Sequence, residues 1–210
     1  MQPDTIVVQP QAVGARERYA ILALIPLGIA FNLAIGAVVR ALQLPIYVDA
    51  VGTILITLIA GIRAGAITGV ASFLLGGILV SPVLPYFSGT QAAIAIYTGL
   101  VARRGGFRTI PRTILAGIGL GVVAGIVSAP VIVLLFGGIT GSGASLAVAF
   151  LLASGKSLIN SVVLSGLAAE PIDKTIQCLL AVWLLRGLPM GLLSRFTRGY
   201  LARNAFVTTE

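Results

Sequence analysis

The 210-residue chain has no histidine, one cysteine, one tryptophan and only six acidic residues. Without histidine it lacks the commonest metal ligand and the usual general base. The lone Cys178 excludes an intramolecular disulfide, and within its apolar run it reads as a small core residue. There is no Gly-x-x-x-x-Gly-Lys-Ser/Thr motif, so any ATP hydrolysis linked to this chain must come from partners. Strand-period alternation is absent as well, which argues against a membrane β-barrel. Charged residues make up 10% of the chain, where a soluble domain carries ~25%.

What remains is apolar. Hydrophobic residues account for 58% and the mean hydropathy is +1.07, the composition of an integral membrane protein built from helices. The net charge of +8 does not indicate a nucleic-acid groove, because the cations fall at the ends of apolar runs, where they set topology. The 26 glycines suit closely packed helices.

Residues 1–18 form a polar tail, 19–190 a membrane-embedded domain and 191–210 a basic tail. The expected spans are Tyr19–Val39, Val48–Ile62, Ala64–Val80, Gly89–Ala102, Thr113–Phe136 with a kink at Pro130, and Thr175–Leu188. The glycine-rich stretch 137–143 must be a loop. Ser145–Ala169 has a helical pattern but is studded with Ser154, Lys156, Ser157, Asn160, Ser161 and Ser165. If it crossed the membrane, the basic tail would face outward, against the positive-inside tendency. The expected fold is therefore all-α: six transmembrane helices plus a re-entrant or outward-side helix, both termini cytoplasmic, with seven spans as the alternative.

In that topology Arg40, Asp49, Lys156, Glu170, Asp173 and Lys174 collect on or near the outward half. Lining a cavity, they would make a pocket for a small polar or zwitterionic solute; paired with one another, they would only hold the fold. Asp49 is the leading ligand candidate, with Tyr47 beside it and Thr53 one helical turn on. Aromatic residues Tyr47, Tyr86, Phe87 and Phe136 can stack on a planar ring or form an interfacial belt, and Asn32, Gln91 and Asn160 can pair with a polar edge. Small-residue stripes run through Ala30-x-x-x-Ala34, Gly61-x-x-x-Gly65-x-x-x-Gly69 and Gly117-x-x-x-Gly121-x-x-x-Gly125. At least two of them are expected to serve internal packing.

These residues resemble a family. An Asn-bearing first helix closed by Arg40 precedes Leu44-Pro45-Ile46-Tyr47-Val48-Asp49-Ala50-Val51-Gly52-Thr53. Then follow Ala60-Gly61-Ile62-Arg63-Ala64-Gly65, Ser128-Ala129-Pro130, the glycine loop and Glu170-Pro171-Ile172-Asp173-Lys174. Over about residues 19–190 the order resembles the substrate-binding S component of energy-coupling factor (ECF) vitamin transporters. That resemblance implies a six-helix bundle in a bacterial inner membrane that is not an enzyme and carries no cofactor. Its partners would be a transmembrane coupling subunit and two cytoplasmic ATPases, with Ala30 and Ala34 matching the docking face. The expected substrate-binding set is Asn32, Arg40, Tyr47, Asp49, Thr53, Phe87, Gln91, Lys156, Asn160, Asp173 and Lys174. A pyrimidine, a queuosine precursor or another heterocyclic vitamin would suit these residues. The competing readings are a ligand-sensing membrane module, a stand-alone secondary transporter and, remotely, a membrane enzyme.

Overall fold

A computed structural model describes residues 14–193 and Phe196. The tail residues 1–13, 194–195 and 197–210, with Arg195, Arg198 and Arg203, lie outside the described residues. The described chain is all-helical: α1 (Ala15–Ala41), α2 (Val51–Ala60), α3 (Ile62–Leu79), α4 (Ser88–Arg103), α5 (Ile110–Phe136), α6 (Ala144–Ala153), α7 (Leu158–Gly187) and the single turn α8 (Met190–Leu193). A 3-10 turn, Leu84–Phe87, leads into α4.

Three segments are long and apolar enough to cross a membrane: Glu17–Ala41, Ile62–Leu79 and Ile110–Phe136. Their outer faces carry Leu22, Leu27, Ile67, Ile78, Leu115 and Ile126, all exposed, while Asn32, Thr53, Ser72, Gln91, Asp173 and Gln177 are buried. Apolar outside and hydrogen-bonded polar groups inside is the distribution a lipid solvent selects, since unpaired polar groups are costly in hydrocarbon.

Glycines set the helix spacing. A Cβ at Gly65 would collide with the Thr57 hydroxyl, and one at Gly69 would come within 2.9 Å of Gln91 and Thr53, so that stripe seats α3 on α2 and α4. A Cβ at Gly117 would meet Thr175, and one at Gly121 the Pro171 backbone, so the second stripe seats α5 on α7. Both are internal packing surfaces, as expected. Ala30 and Ala34 are exposed on α1.

Two expectations are corrected. Ser145–Ala169 is not one helix: α6 stops at Ala153, Gly155 turns the chain at φ +82°, and Ser157 caps a new helix by accepting the Asn160 N–H. That new helix does not end at Glu170-Pro171. It continues through Pro171 for 30 residues to Gly187, merging with the expected Thr175–Leu188 span. Proline removes one backbone donor, but a packed helix tolerates it where neighbours cover the freed groups, and α5 packs against this point through Gly121.

The second expected span is also shorter. α2 has only 10 residues, about 15 Å at 1.5 Å per residue. The preceding residues 44–50 are non-helical, with Val48 in the left-handed region at φ +46°. A β-branched residue there is a true outlier, held only by surroundings that over-determine it.

Candidate ligand-binding site

Non-helical backbone deep in a membrane protein is viable only where protein or a water-filled cavity supplies its hydrogen bonds. For residues 47–52 the supply comes from side chains on two other helices. Asp173 Oδ1 accepts the N–H groups of Tyr47 (3.0 Å) and Val48 (2.9 Å). Gln177 Oε1 accepts from Ala50 N–H at 2.8 Å, and Asn32 Oδ1 from Gly52 N–H at 2.7 Å. Ala50 sits at the N-cap of α2 and has no side chain able to cap it, so Gln177 and Asn32 satisfy what would be orphaned donors.

The polar core extends from there. The Asn32 amide donates to Thr53 Oγ1 (2.9 Å) and Ser72 Oγ (3.1 Å), and Thr53 Oγ1 donates to Gln91 Oε1 (2.8 Å). Gln91 Nε2 reaches the Asp49 carbonyl at 3.3 Å. α1, α2, α3 and α4 are thus joined through a single buried chain of side chains.

Beside this core lies a charge cluster. Lys174 Nζ donates to Asp173 Oδ2 at 2.6 Å and stands 3.5 Å from Asp49 Oδ1 and 3.6 Å from Glu170 Oε2. It also lies 5.6 Å from the Tyr47 ring centroid, within cation–π range. Asp173 is saturated: Oδ1 takes two backbone donors and Oδ2 takes Lys174 and Gln177 Nε2 (2.7 Å). Asp49 Oδ1 and Glu170 Oε2 are buried and accept no hydrogen bond.

These groups face a cleft with about 520 Å³ of non-atom space, the open solvent at its mouth included. Arg40, Tyr47, Asp49, Phe87, Gln91, Glu170 and Lys174 line it, closed in by Phe73, Ile94 and Ile132. Tyr47 and Glu170 also border an apolar groove of about 640 Å³ between α5, α6 and α7. A third space of about 470 Å³ runs past Asn32, Arg40, Tyr47 and Asp49 to Ser142 and Gly143. The glycine loop closes this end: Arg40 Nη1 donates to the Gly141 carbonyl at 3.4 Å, and Gly143 packs directly against the Gln43 and Leu44 carbonyls.

Of the eleven expected binding residues, Arg40, Tyr47, Asp49, Phe87, Gln91 and Lys174 line the main cleft, and Asn32 borders the space beside it. Thr53 and Asp173 do not line these spaces; both are fully buried and spend their side chains on the fold. In this structure Asp173 serves as a backbone anchor. Lys156 and Asn160 are exposed around the α6–α7 turn and outside the cleft lining, because the helix break at Gly155 carries them to the surface. Glu170, grouped with the outward charges but not assigned to the ligand, is a cleft residue, and Gln177 was missed altogether. Glu170 lies one turn before Lys174 on a helix now known to be continuous, which is the signal that places it there. Tyr86 and Phe87 each pack against Phe136, at centroid distances of 5.4 and 6.0 Å, and only Phe87 also faces the cleft. Among the described residues no group of acidic or cysteine side chains is arranged to hold a metal ion; the Lys174 ammonium occupies the centre of the carboxylate cluster.

No family model, curated protein or solved structure matches the chain.

Proposed function

We propose that this chain is the substrate-binding membrane subunit of an ECF-type importer, which captures a small heterocyclic vitamin or vitamin precursor and delivers it inward with partner ATPases. The observation that carries this reading is the cleft itself. Side chains from α1, the unwound segment before α2, α4, α5 and α7 converge at one end of an apolar helical shell. There they surround ionisable groups that a lipid-embedded protein would not otherwise keep.

Three further features support it. The span containing Asp49 is broken, and unwound backbone beside a half-helix is how membrane carriers expose polar groups to a solute. Aromatic Tyr47 and Phe87 stand beside hydrogen-bonding Gln91, a combination suited to a planar polar ring. The chain has no nucleotide-binding motif, so energy would come from other subunits. In this reading six helices cross a bacterial inner membrane, namely α1, α2 with its unwound lead, α3, α4, α5 and α7. α6 lies on the outer side with the cleft, and the arginine-rich connections face the cytoplasm.

Native mass spectrometry of the protein, purified in mild detergent from cells grown in rich medium, tests the reading. The expected result is one stoichiometric heterocyclic molecule together with co-purifying ATPase and coupling subunits. An empty protein that purifies without those subunits overturns it. A ligand retained without any ATPase, and uptake that proceeds in cells lacking ATPase subunits, would assign a stand-alone carrier instead.

A further inference from the structure

Most of the exposed cations gather at the end of the bundle opposite the cleft. Arg103, Arg104, Arg108 and Arg112 stand on the α4–α5 connection and the helix turns that flank it, and all four are exposed. Near the end of α4, a Cβ at Gly99 would strike the Ile62 side chain, so Arg63, also exposed, belongs to the same end. Among the described residues none of these five guanidinium groups enters an ion pair or donates a hydrogen bond. Three of the four described acids, Asp49, Glu170 and Asp173, are held by Lys174 in the cleft, and the fourth is Glu17 in the first turn of α1. The connection that carries the arginines is also fixed. Phe107 is 4% exposed and packs into the apolar core. The Gly106 N–H donates to the Val101 carbonyl at 3.0 Å, and Thr109 caps α5 by accepting the Arg112 N–H.

A second, independent feature gives the height of this end in the membrane. α5 and α7 run antiparallel, with Gly117 against Thr175 and Gly121 against Pro171. Continued at the same register, that pairing brings Trp183 level with Thr109, the height of the arginines. Trp183 is the sole tryptophan and is 68% exposed, and such side chains mark the boundary between hydrocarbon and headgroups. Exposed Leu100 and Leu115 adjoin the arginines on the hydrocarbon side. We propose that this end of the bundle binds anionic phospholipid headgroups, with Arg103, Arg104, Arg108 and Arg112 on the lipid phosphates and the leucines along the acyl chains. Guanidinium forks pair with phosphate oxygens through two parallel N–H···O bonds, and at headgroup height lipid phosphates are the anions within reach. A connection already pinned by Phe107 loses little freedom when it binds. The arginines thus do more than orient the chain: they select the lipid beside it.

The test is native mass spectrometry of the detergent-purified full chain, stripped of lipid and then titrated with phosphatidylglycerol or phosphatidylcholine of identical acyl chains. Phosphatidylglycerol is expected to be retained at a concentration at least tenfold lower, and the difference to shrink at high salt, which screens exposed charges. Arg104→Gln combined with Arg108→Gln, checked for an unchanged size-exclusion profile, should cut the preference at least threefold. Lys156→Gln, which removes an exposed cation at the α6–α7 turn, should leave it intact. Should the double variant fail to fold, the two-lipid comparison on the native chain at low and high salt decides alone. Equal retention of the two lipids, a preference indifferent to salt, or an undiminished preference in the folded double variant overturns the proposal. Displacement of phosphatidylglycerol by inorganic phosphate at equal concentration overturns it in favour of a free-phosphate site. Equal retention of the lipids together with loss of co-purifying subunits in the double variant overturns it in favour of an acidic protein partner.

Discussion

Asp173 Oδ1 accepts the backbone N–H groups of both Tyr47 and Val48, residues about 125 positions earlier in the chain. One oxygen thereby ties the middle of α7 to the unwound backbone that opens α2. The same contact holds Val48 at φ +46°, where valine does not rest by preference, and so fixes where Tyr47 and Asp49 stand in the cleft.

The first prediction follows from that anchor. Asp173→Ala removes the side-chain acceptor of two backbone N–H groups and leaves Lys174 without its closest partner in a fully buried position. Breaking a buried ion pair from one side costs about 3–5 kcal/mol. The variant is expected to unfold at a clearly lower temperature in detergent, even with no ligand present. An unfolding temperature equal to that of the native chain would reject the anchoring role.

Asp49→Asn should behave differently. Asp49 is 19% exposed at its side chain and makes no hydrogen bond through Oδ1, so the fold depends on it little. Its loss should weaken ligand binding at least tenfold, ~1.4 kcal/mol, with the unfolding temperature of the empty protein nearly unchanged. Isothermal titration with the ligand recovered from the native protein measures the first quantity. An unchanged affinity removes Asp49 from the site.

How much of this was legible beforehand divides by distance along the chain. Long apolar runs mark α1, α3 and α5 because composition and length are local properties. Asp49 stood out because a carboxylate beside an apolar run is costly wherever the fold puts it. The role of Asp173 depends on donors 125 residues away, and no local pattern announces it. Val48 carries a left-handed backbone without the glycine that usually signals one. The break between α6 and α7, by contrast, was written in Ser154-Gly155-Lys156-Ser157, where a turn glycine precedes a serine N-cap. The apolar pattern on either side concealed it. Pro171 misled in the opposite direction, because proline's penalty assumes a helix whose neighbours give nothing back.

Helix spacing gives a third prediction. A Cβ at Gly52 would strike the Gly28 carbonyl oxygen and crowd Asn32 Oδ1 at 2.9 Å, the acceptor that caps α2. At Gly89 nothing lies within 4 Å. Gly52→Ala should therefore destabilise the protein by about 1–3 kcal/mol, as overpacking does, while Gly89→Ala is neutral or slightly stabilising. Thermal unfolding of the pair in the same detergent checks this. Equal behaviour of the two variants would mean α1 and α2 are free to move apart.

The last prediction concerns the outer face of α1. Ala30 and Ala34 are exposed one turn apart, whereas the two glycine stripes are spent on contacts within the chain. Small side chains on an outward helix face permit close approach of another helix. If the coupling subunit docks there, Ala30→Trp or Ala34→Trp fills the approach while leaving the cleft untouched, since neither residue lines it. Either substitution should lower recovery of the ATPase and coupling subunits in affinity purification, with ligand retention unchanged by native mass spectrometry. The converse pattern, full assembly with loss of ligand, would move the docking face elsewhere and make these alanines part of the packing that shapes the site.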